Sequence, residues 1–444
     1  MTATVPTSST KTRRVRPPSR TARLLQRLDR PLTSYYLIFG ASALLMALGL
    51  VMVLSSSMID SLTETGSSFS LFQKQLFAAL VGVPLMILAS HVPVRILRVV
   101  GNPAMIVCIV LLLLTVFQGE TYYTGAARWL ELGGVTIQPS EPTKLAFALW
   151  GATILARREE LNQLDEWRQL LMPLLPGVAV LVLLVLLGSD LGTTCVLLAV
   201  FLALLWVVGA PGRLFIGMFA LVGLLVAIMA VVEPYRVARM TTFLNPQDDP
   251  TDAGFQALHG LYALGTGGLF GVGIGASREK WGLLPHPESD FIFAIIGEEL
   301  GLLGSLLVVG LFGLLGYAGL RVAMRAKDSF VRLAAISVTC WIVVQAFVNI
   351  GTVIGMLPVT GIPLPLISAG GSALIPTLVG LGVLLSLARA EPEARKALAA
   401  RNPSLLERGL RWLGLGATSG PNTSRTRQNG AGNGQDSAKR SRRR

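Results

Sequence analysis

Leu191-Gly-Thr-Thr-Cys-Val-Leu-Leu-Ala-Val-Phe-Leu-Ala-Leu-Leu-Trp-Val-Val208 runs for 18 residues without one charged side chain. As a helix it is about 27 Å long, close to the hydrocarbon thickness of a bilayer. Gly188-Ser189-Asp190, just before it, reads as a tight turn from another apolar stretch, 172–187. Working outward, the same pattern recurs at 36–56, 71–90, 98–117, 140–156, 212–232, 290–320, 331–357 and 371–389. With the two stretches that meet at Gly188, that makes ten spans. Composition agrees: 52% of the 444 residues are hydrophobic and 14% are charged, against about 25% charged in soluble domains. The reading is an all-α polytopic membrane protein of ten transmembrane helices, with a large outside loop, 233–289, between the seventh and eighth.

Orientation follows from the basic residues, which collect on the cytoplasmic side. With the N-terminus inside, the inside segments carry 31 of the 38 Lys and Arg. Residues 1–35 become a basic cytoplasmic tail, 36–389 the membrane domain, and 390–444 a second basic tail. The tail's last part, from Ser419, reads as disordered by composition. Met1 to Pro31 has no apolar stretch of the kind a cleavable signal needs. The net charge of +13 is accounted for by topology and anionic headgroups, so no nucleic-acid partner is expected. Cys108, Cys195 and Cys340 all fall in spans without CxxC spacing, and read as small apolar residues.

Chemistry must then come from the outside loops and from ionisable groups in spans, where they are costly. Four clusters stand out. Gly125-Ala-Ala-Arg128-Trp129-Leu130 leads into Gln138-Pro-Ser-Glu141-Pro-Thr-Lys144, a helix start with a capping serine and two prolines. Glu141 and Lys144 share a face. They either pair with each other or frame an anion site at the helix N-terminus. Ser189-Asp190-Leu-Gly-Thr-Thr194 offers a carboxylate that reads first as an N-cap. The long loop holds Arg236 and Arg239, then Phe243-Leu-Asn-Pro246, then an apolar stretch, 256–264, suited to a re-entrant helix. Its glycine run, 265–275, lets backbone approach a ligand or a neighbouring helix. Last comes Pro285-His286-Pro-Glu288-Ser-Asp290-Phe-Ile-Phe, leading to Gly297-Glu298-Glu299. Glu298 lies about 12 Å beyond Asp290 along a helix and near the same face, which suggests a polar cavity opening outward. Alternating His286, Glu288 and Asp290 leave room for a divalent cation, for which Mg or Mn fits better than zinc.

These motifs resemble those of the SEDS family of cell-wall glycosyltransferases, which serve shape, elongation, division and sporulation. The resemblance covers roughly residues 35–390. It rests on the clusters above, on Asn349-Ile-Gly351, and on Leu357-Pro-Val-Thr-Gly361-Ile-Pro-Leu-Pro-Leu-Ile-Ser368-Ala-Gly-Gly371. Ile367-Ser-Ala-Gly-Gly371 and the arginine-rich tail are similar to the division branch of actinobacterial type. Gly188-Ser189, Ser289 and Ala369 replace the family's usual Gln-Pro, Thr and Tyr, and none of these changes touches a charged motif residue. The resemblance implies ten helices with both ends cytoplasmic. It implies polymerisation of lipid II, an undecaprenyl-pyrophosphate disaccharide-pentapeptide, on the outer face of the cytoplasmic membrane at the division septum. The implied partners are a class B penicillin-binding transpeptidase and other divisome membrane proteins. The implied essential acid is Asp290, with Arg128, Glu141 and Lys144 at other motif positions needed for function.

That reaction asks for particular groups. A sugar hydroxyl attacks the anomeric carbon of a donor whose leaving group is a lipid pyrophosphate. A carboxylate base assists by roughly 10²- to 10⁴-fold, and cations neutralise the pyrophosphate. Asp290 is the expected base, with a plain helix cap as its alternative. Arg128 and Lys144 are expected at the pyrophosphate, with Arg236, Arg239 or a divalent cation, while Glu141 and Glu298 line the substrate cavity. Other readings are a lipid II flippase, the elongation paralogue, or a division scaffold. The crowding of polar motifs on the outer side favours the enzyme. The topology predicts that cysteines placed at Thr124 and Gln247 react with an impermeant maleimide in intact cells, and that one at Gln163 does not. Reaction at Gln163 alone inverts the orientation.

Overall fold

The computed structural model describes residues 31–118, 128–132, 135–161, 167–218 with 220, 253–285 and 287–400. Arg236, Arg239, His286, most of the seventh span and both tails lie outside the described residues, as do Thr124, Gln163 and Gln247. The helices are α1 (Thr33–Thr65), α2 (Ser70–His91), α3 (Val94–Gln118), α4 (Ser140–Glu160), α5 (Trp167–Leu187), α6 (Leu191–Val208), α7 (Ala253–Gly267), α8 (Ile292–Arg325), α9 (Ser329–Val353), α10 (Gly371–Arg389) and α11 (Pro392–Ala399). Nine of the expected spans therefore coincide with helices among the described residues. Residues 212–218, where the remaining span begins, are helical too. Seven of the described helices are long and apolar enough to cross a membrane by length and composition. The chain is a multi-pass membrane protein.

α4 is not among those seven, and its surroundings explain why. It packs against α3, α6 and α9, so its polar residues face protein rather than lipid. Central position shows likewise in α9, which contacts α4, α6, α8 and α10, and whose Trp341 is wholly buried. Between α3 and α4 lies a hairpin that the helical reading did not include. β1 (Leu130–Leu132) pairs antiparallel with β2 (Val135–Ile137), Glu131 opposite Thr136. The Gly133-Gly134 dipeptide between two apolar-alternating triplets was its legible sign. All three cysteines are free, and Cys195 is exposed on α6 rather than buried.

α8 holds the main surprise. It is broken at Gly301, whose φ of 69° and ψ of −166° leave the helical region. The break frees backbone groups that hydrocarbon cannot satisfy, and the glycine run supplies partners. Val272 N donates to Glu298 O (2.9 Å) and Gly273 N to Glu299 O (3.1 Å), while Leu302 N donates to Gly268 O (2.9 Å) and Leu303 N to Leu269 O (3.3 Å). The glycines permit this approach. A Cβ on Gly301 would strike Gly271 N and the carbonyl of Leu269, and one on Gly271 would strike Glu299 O. The glycine run thus approaches a neighbouring helix, as its composition suggested.

Side chains seal the same junction. The Glu298 carboxylate accepts from Ser277 Oγ (2.5 Å) and Arg278 N (2.9 Å). Glu299 accepts from Ser55 Oγ of α1 (2.7 Å) and from Lys280 Nζ (3.1 Å), which also donates to Gly275 O (2.7 Å). Glu298, expected in an outward cavity with Asp290, is instead fully buried. Asp290 precedes the first helical residue of α8, Ile292, so helical phase does not relate the two acids.

Gly301→Ala is expected to destabilise the protein by more than about 1 kcal/mol, since it forces a side chain onto positive φ and into backbone. Gly310→Ala, in α8 with open space around it, is expected to be neutral or to gain up to about 1 kcal/mol. Thermal unfolding in detergent reads both. An unchanged Tm for Gly301→Ala would contradict the break.

Candidate active site

Three segments meet on one side of the bundle: the hairpin arm carrying Arg128, the approach to α8 carrying Asp290, and the loop 354–370 between α9 and α10. The loop has little regular structure of its own and is held by side chains. Gln345 Nε2 donates to Pro363 O (3.0 Å), Asn349 Nδ2 to Ile362 O (2.8 Å), and Thr352 Oγ1 to Pro358 O (3.2 Å). From α2, buried Gln75 donates to Ser368 O (3.0 Å) and accepts from Gly370 N (3.0 Å). Ser368 Oγ donates to Ser289 O (2.6 Å), and Ala369 N donates to Glu288 O (2.9 Å). The backbone on which Asp290 sits is thus tied to this loop.

Asp290 is half-buried. Its carbonyl accepts from Asn349 Nδ2 (2.8 Å), and its Oδ1 from Ser289 Oγ (3.3 Å). The N-cap position of α8 is Phe291, and no side-chain hydrogen bond caps the helix. The cap alternative for Asp290 therefore finds no support in the geometry. Gly361 marks where the Asp290 carboxylate and the Arg128 guanidinium converge. A Cβ there would lie 3.5 Å from Asp290 Oδ2 and 3.9 Å from Arg128 Nη1. Gly361 has a φ of 69°, a conformation glycine adopts without steric cost.

Arg128 also donates from Nη2 to Ser189 O (2.5 Å), which fixes it against the turn between α5 and α6. Its Nε is buried without a hydrogen-bond partner. Asp190 has the capping role read for it. Its Oδ1 accepts from Thr193 N (2.9 Å), and its Oδ2 from Ser140 Oγ (3.1 Å). A small cleft, with room for about one water, opens beside these groups. Arg128, Ser140 and Asp190 line its polar end, and Leu112, Val116, Leu184 and Val185 its apolar walls.

Lys144 and Glu141 form the ion pair that was one of the two readings left open, rather than an open anion site. Neither has appreciable exposed surface. Lys144 Nζ donates to Glu141 Oε1 (2.7 Å) and to Gln345 Oε1 (2.8 Å), and it lies 5.7 Å from the centre of the Trp341 ring. The pair is internal in this conformation, so Lys144 cannot touch a pyrophosphate directly. Gln345 connects it to Pro363 and so to the loop. Among the described residues no three His, Cys, Asp or Glu side chains come together as metal ligands; His286, one of the three residues read as leaving room for a divalent cation, lies outside them.

The sequence reading missed Gln75, Gln345, Asn349 and Gly361 as parts of this site. Gln345 and Asn349, four apart in an apolar span, carried the usual signal of polar groups placed on one helix face. Gly361 stood in the Leu357-to-Gly371 motif, but nothing there marked it as part of the site, because its importance lies in the side chain it lacks.

Comparison with known proteins gives the family and the fold. Residues 35–393 match the family model for FtsW, RodA and SpoVE, described as cell cycle proteins. The chain is 43% identical over 385 residues to a probable peptidoglycan glycosyltransferase FtsW of Mycobacterium tuberculosis, covering 86% of this chain and 73% of that one. It is 37% identical to the stage V sporulation protein E of Bacillus subtilis, over 78% of this chain and 94% of that one. Among solved structures it resembles a peptidoglycan synthase complex that coordinates polymerisation and crosslinking, with a TM-score of 0.66 and 28% identity over 80% of this chain and 97% of that one. It also resembles the rod shape determining protein RodA of Thermus thermophilus, with a TM-score of 0.59 and 28% identity over the same shares. Matched over residues 35–393, the chain belongs to the FtsW, RodA and SpoVE family of cell cycle proteins.

Proposed function

We infer that this chain is a peptidoglycan glycosyltransferase that polymerises lipid II on the outer face of the cytoplasmic membrane, for septal wall synthesis. The observation that carries the reading is the convergence of Asp290 Oδ2 and Arg128 Nη1 on one point beside Gly361. A base and a cation side by side suit the reaction. The acceptor hydroxyl gives its proton to Asp290 as its oxygen bonds the anomeric carbon. The bond from that carbon to the pyrophosphate oxygen breaks on the opposite face, and Arg128 meets the departing negative charge. One displacement inverts an α-linked donor to a β-linked strand. Greater identity to FtsW relatives than to RodA favours division over elongation. The class B penicillin-binding transpeptidase and other divisome membrane proteins are the partners this reading calls for, with both termini cytoplasmic.

The test is glycan synthesis from lipid II by the purified chain with its cognate transpeptidase. Asp290→Asn keeps size and most hydrogen bonds but takes up no proton. It is expected to fold, bind the transpeptidase and lose at least about 10²-fold in rate. A rate near the parental one removes Asp290 from the chemistry.

Arg128 and Lys144 are expected to separate. Arg128→Ala weakens use of lipid II and leaves Tm nearly unchanged. Lys144→Ala strands the Glu141 carboxylate in the interior and costs about 3–5 kcal/mol of stability, read as a large fall in Tm. Equal Tm values for the two variants contradict the internal placement of Lys144.

A further inference from the structure

α9 carries a stripe of three polar side chains at 345, 349 and 352, spaced as one helix face. Each donates to a main-chain carbonyl of the loop 354–370: Gln345 to Pro363, Asn349 to Ile362, Thr352 to Pro358. Asn349 differs from the other two. Its amide nitrogen donates a second hydrogen bond, to the carbonyl of Asp290 itself, also at 2.8 Å. Both hydrogens of the amide are thus spent on carbonyl oxygens, one from each of the two segments that flank the candidate active site. This fixes the amide's orientation, since a flipped group would set its oxygen against two others. Asn349 is almost fully buried, and its Oδ1 has no hydrogen-bond partner. A buried amide with half its capacity unused is costly to keep, which points to a role beyond packing.

The second segment matters because Ile362 follows Gly361. Asp290 Oδ2 and Arg128 Nη1 both approach the point where a Gly361 Cβ would stand. The spacing between the backbone at Asp290 and the backbone at Gly361–Ile362 sets how the carboxylate faces the guanidinium. One amide bridges that spacing.

We propose that Asn349 is a positioning residue for Asp290: its amide clamps the backbone of Asp290 to that of Ile362 and holds the carboxylate beside Arg128 at the reacting distance. The proposal rests on the reading of Asp290 as the base. Asn349 touches no substrate. Its loss leaves the site populated by the same groups but lets the carboxylate drift, and a displacement of about 1 Å costs up to roughly 10²-fold in rate. Arg128 and the other groups that would meet lipid II are unaltered, so affinity is left largely intact.

The experiment measures kcat and KM for lipid II, and Tm, on the purified chain with its cognate transpeptidase. Four variants are compared with the parent: Asn349→Asp, Asn349→Ser, Thr352→Val and Asp290→Asn. Asn349→Asp keeps the shape but removes the doubly donating amide. Asn349→Ser adds no charge and keeps at most one donor. Both are expected to lower kcat by about 10- to 100-fold and to leave KM within about threefold. Thr352→Val cuts another bond of the same stripe, one that does not reach Asp290, and is expected to keep the parental kcat. The proposal is overturned if the Asn349 variants lose no more kcat than Thr352→Val, if kcat falls only together with a matching rise in KM, or if neither variant folds while Thr352→Val does. An active Asp290→Asn overturns the catalytic reading itself. An inactive Asp290→Asn beside fully active Asn349 variants overturns only the clamp.

Discussion

A lysine sealed inside a membrane bundle is the interaction on which the end of the molecule carrying Asp290 and Arg128 depends. Lys144 has no exposed surface, so its charge must be met by protein or not at all. It is met by Glu141 on its own helix and by Gln345 on α9. The second of these contacts ties α4 to α9 at the centre of the bundle. It also has a direction, because Gln345 uses its other end to hold Pro363. Charge neutralisation in the core and shape at the surface are therefore one problem with one solution. The loop beside Asp290 stays where it is partly because an ion pair one layer below needs a neutral amide next to it.

Much of this was legible in the residues. Long uncharged stretches separated by polar turns can only be spanning helices, and α6 begins and ends where Leu191 and Val208 said it would. Asp190 read as a cap and is one. What periodicity could not reveal is where a helix stops being a helix. Gly301 sits in an apolar stretch where glycine is common in membrane helices, and only the partner segment 268–275 turns it into a break. The same blindness misplaced Glu298. Counting along a continuous helix put it in a cavity with Asp290, whereas the carboxylate faces Ser277 and Arg278 N. For Lys144 the residues left open a choice between ion pair and anion site, and burial decides how it is met in this conformation. Gln345 and Asn349 were visible as polar residues in a span, but what they hold is separated from them by the chain's return.

The site itself is built almost wholly from irregular chain. Arg128, Asp290 and Gly361 lie on segments between helices; Arg128 is held by the carbonyl of Ser189, and the segments of the other two by the Asn349 side chain. This division of labour suits a membrane enzyme. Helices satisfy their own backbone in lipid, whereas a loop at the water boundary needs its carbonyls supplied with donors. Gln75, Gln345 and Asn349 are those donors.

The break at Gly301 constrains the chain's history as well as its shape. Four backbone hydrogen bonds lock residues 268–273 to residues 298–303 in a fixed register. Inserting or deleting one residue in either stretch would slide the donors past their carbonyls and strand polar groups in the bilayer. Length changes among descendants of this sequence are therefore excluded from both stretches. Glycines 271 and 301 are bound to each other as a pair, since restoring a side chain at one leaves no room for the backbone of the other.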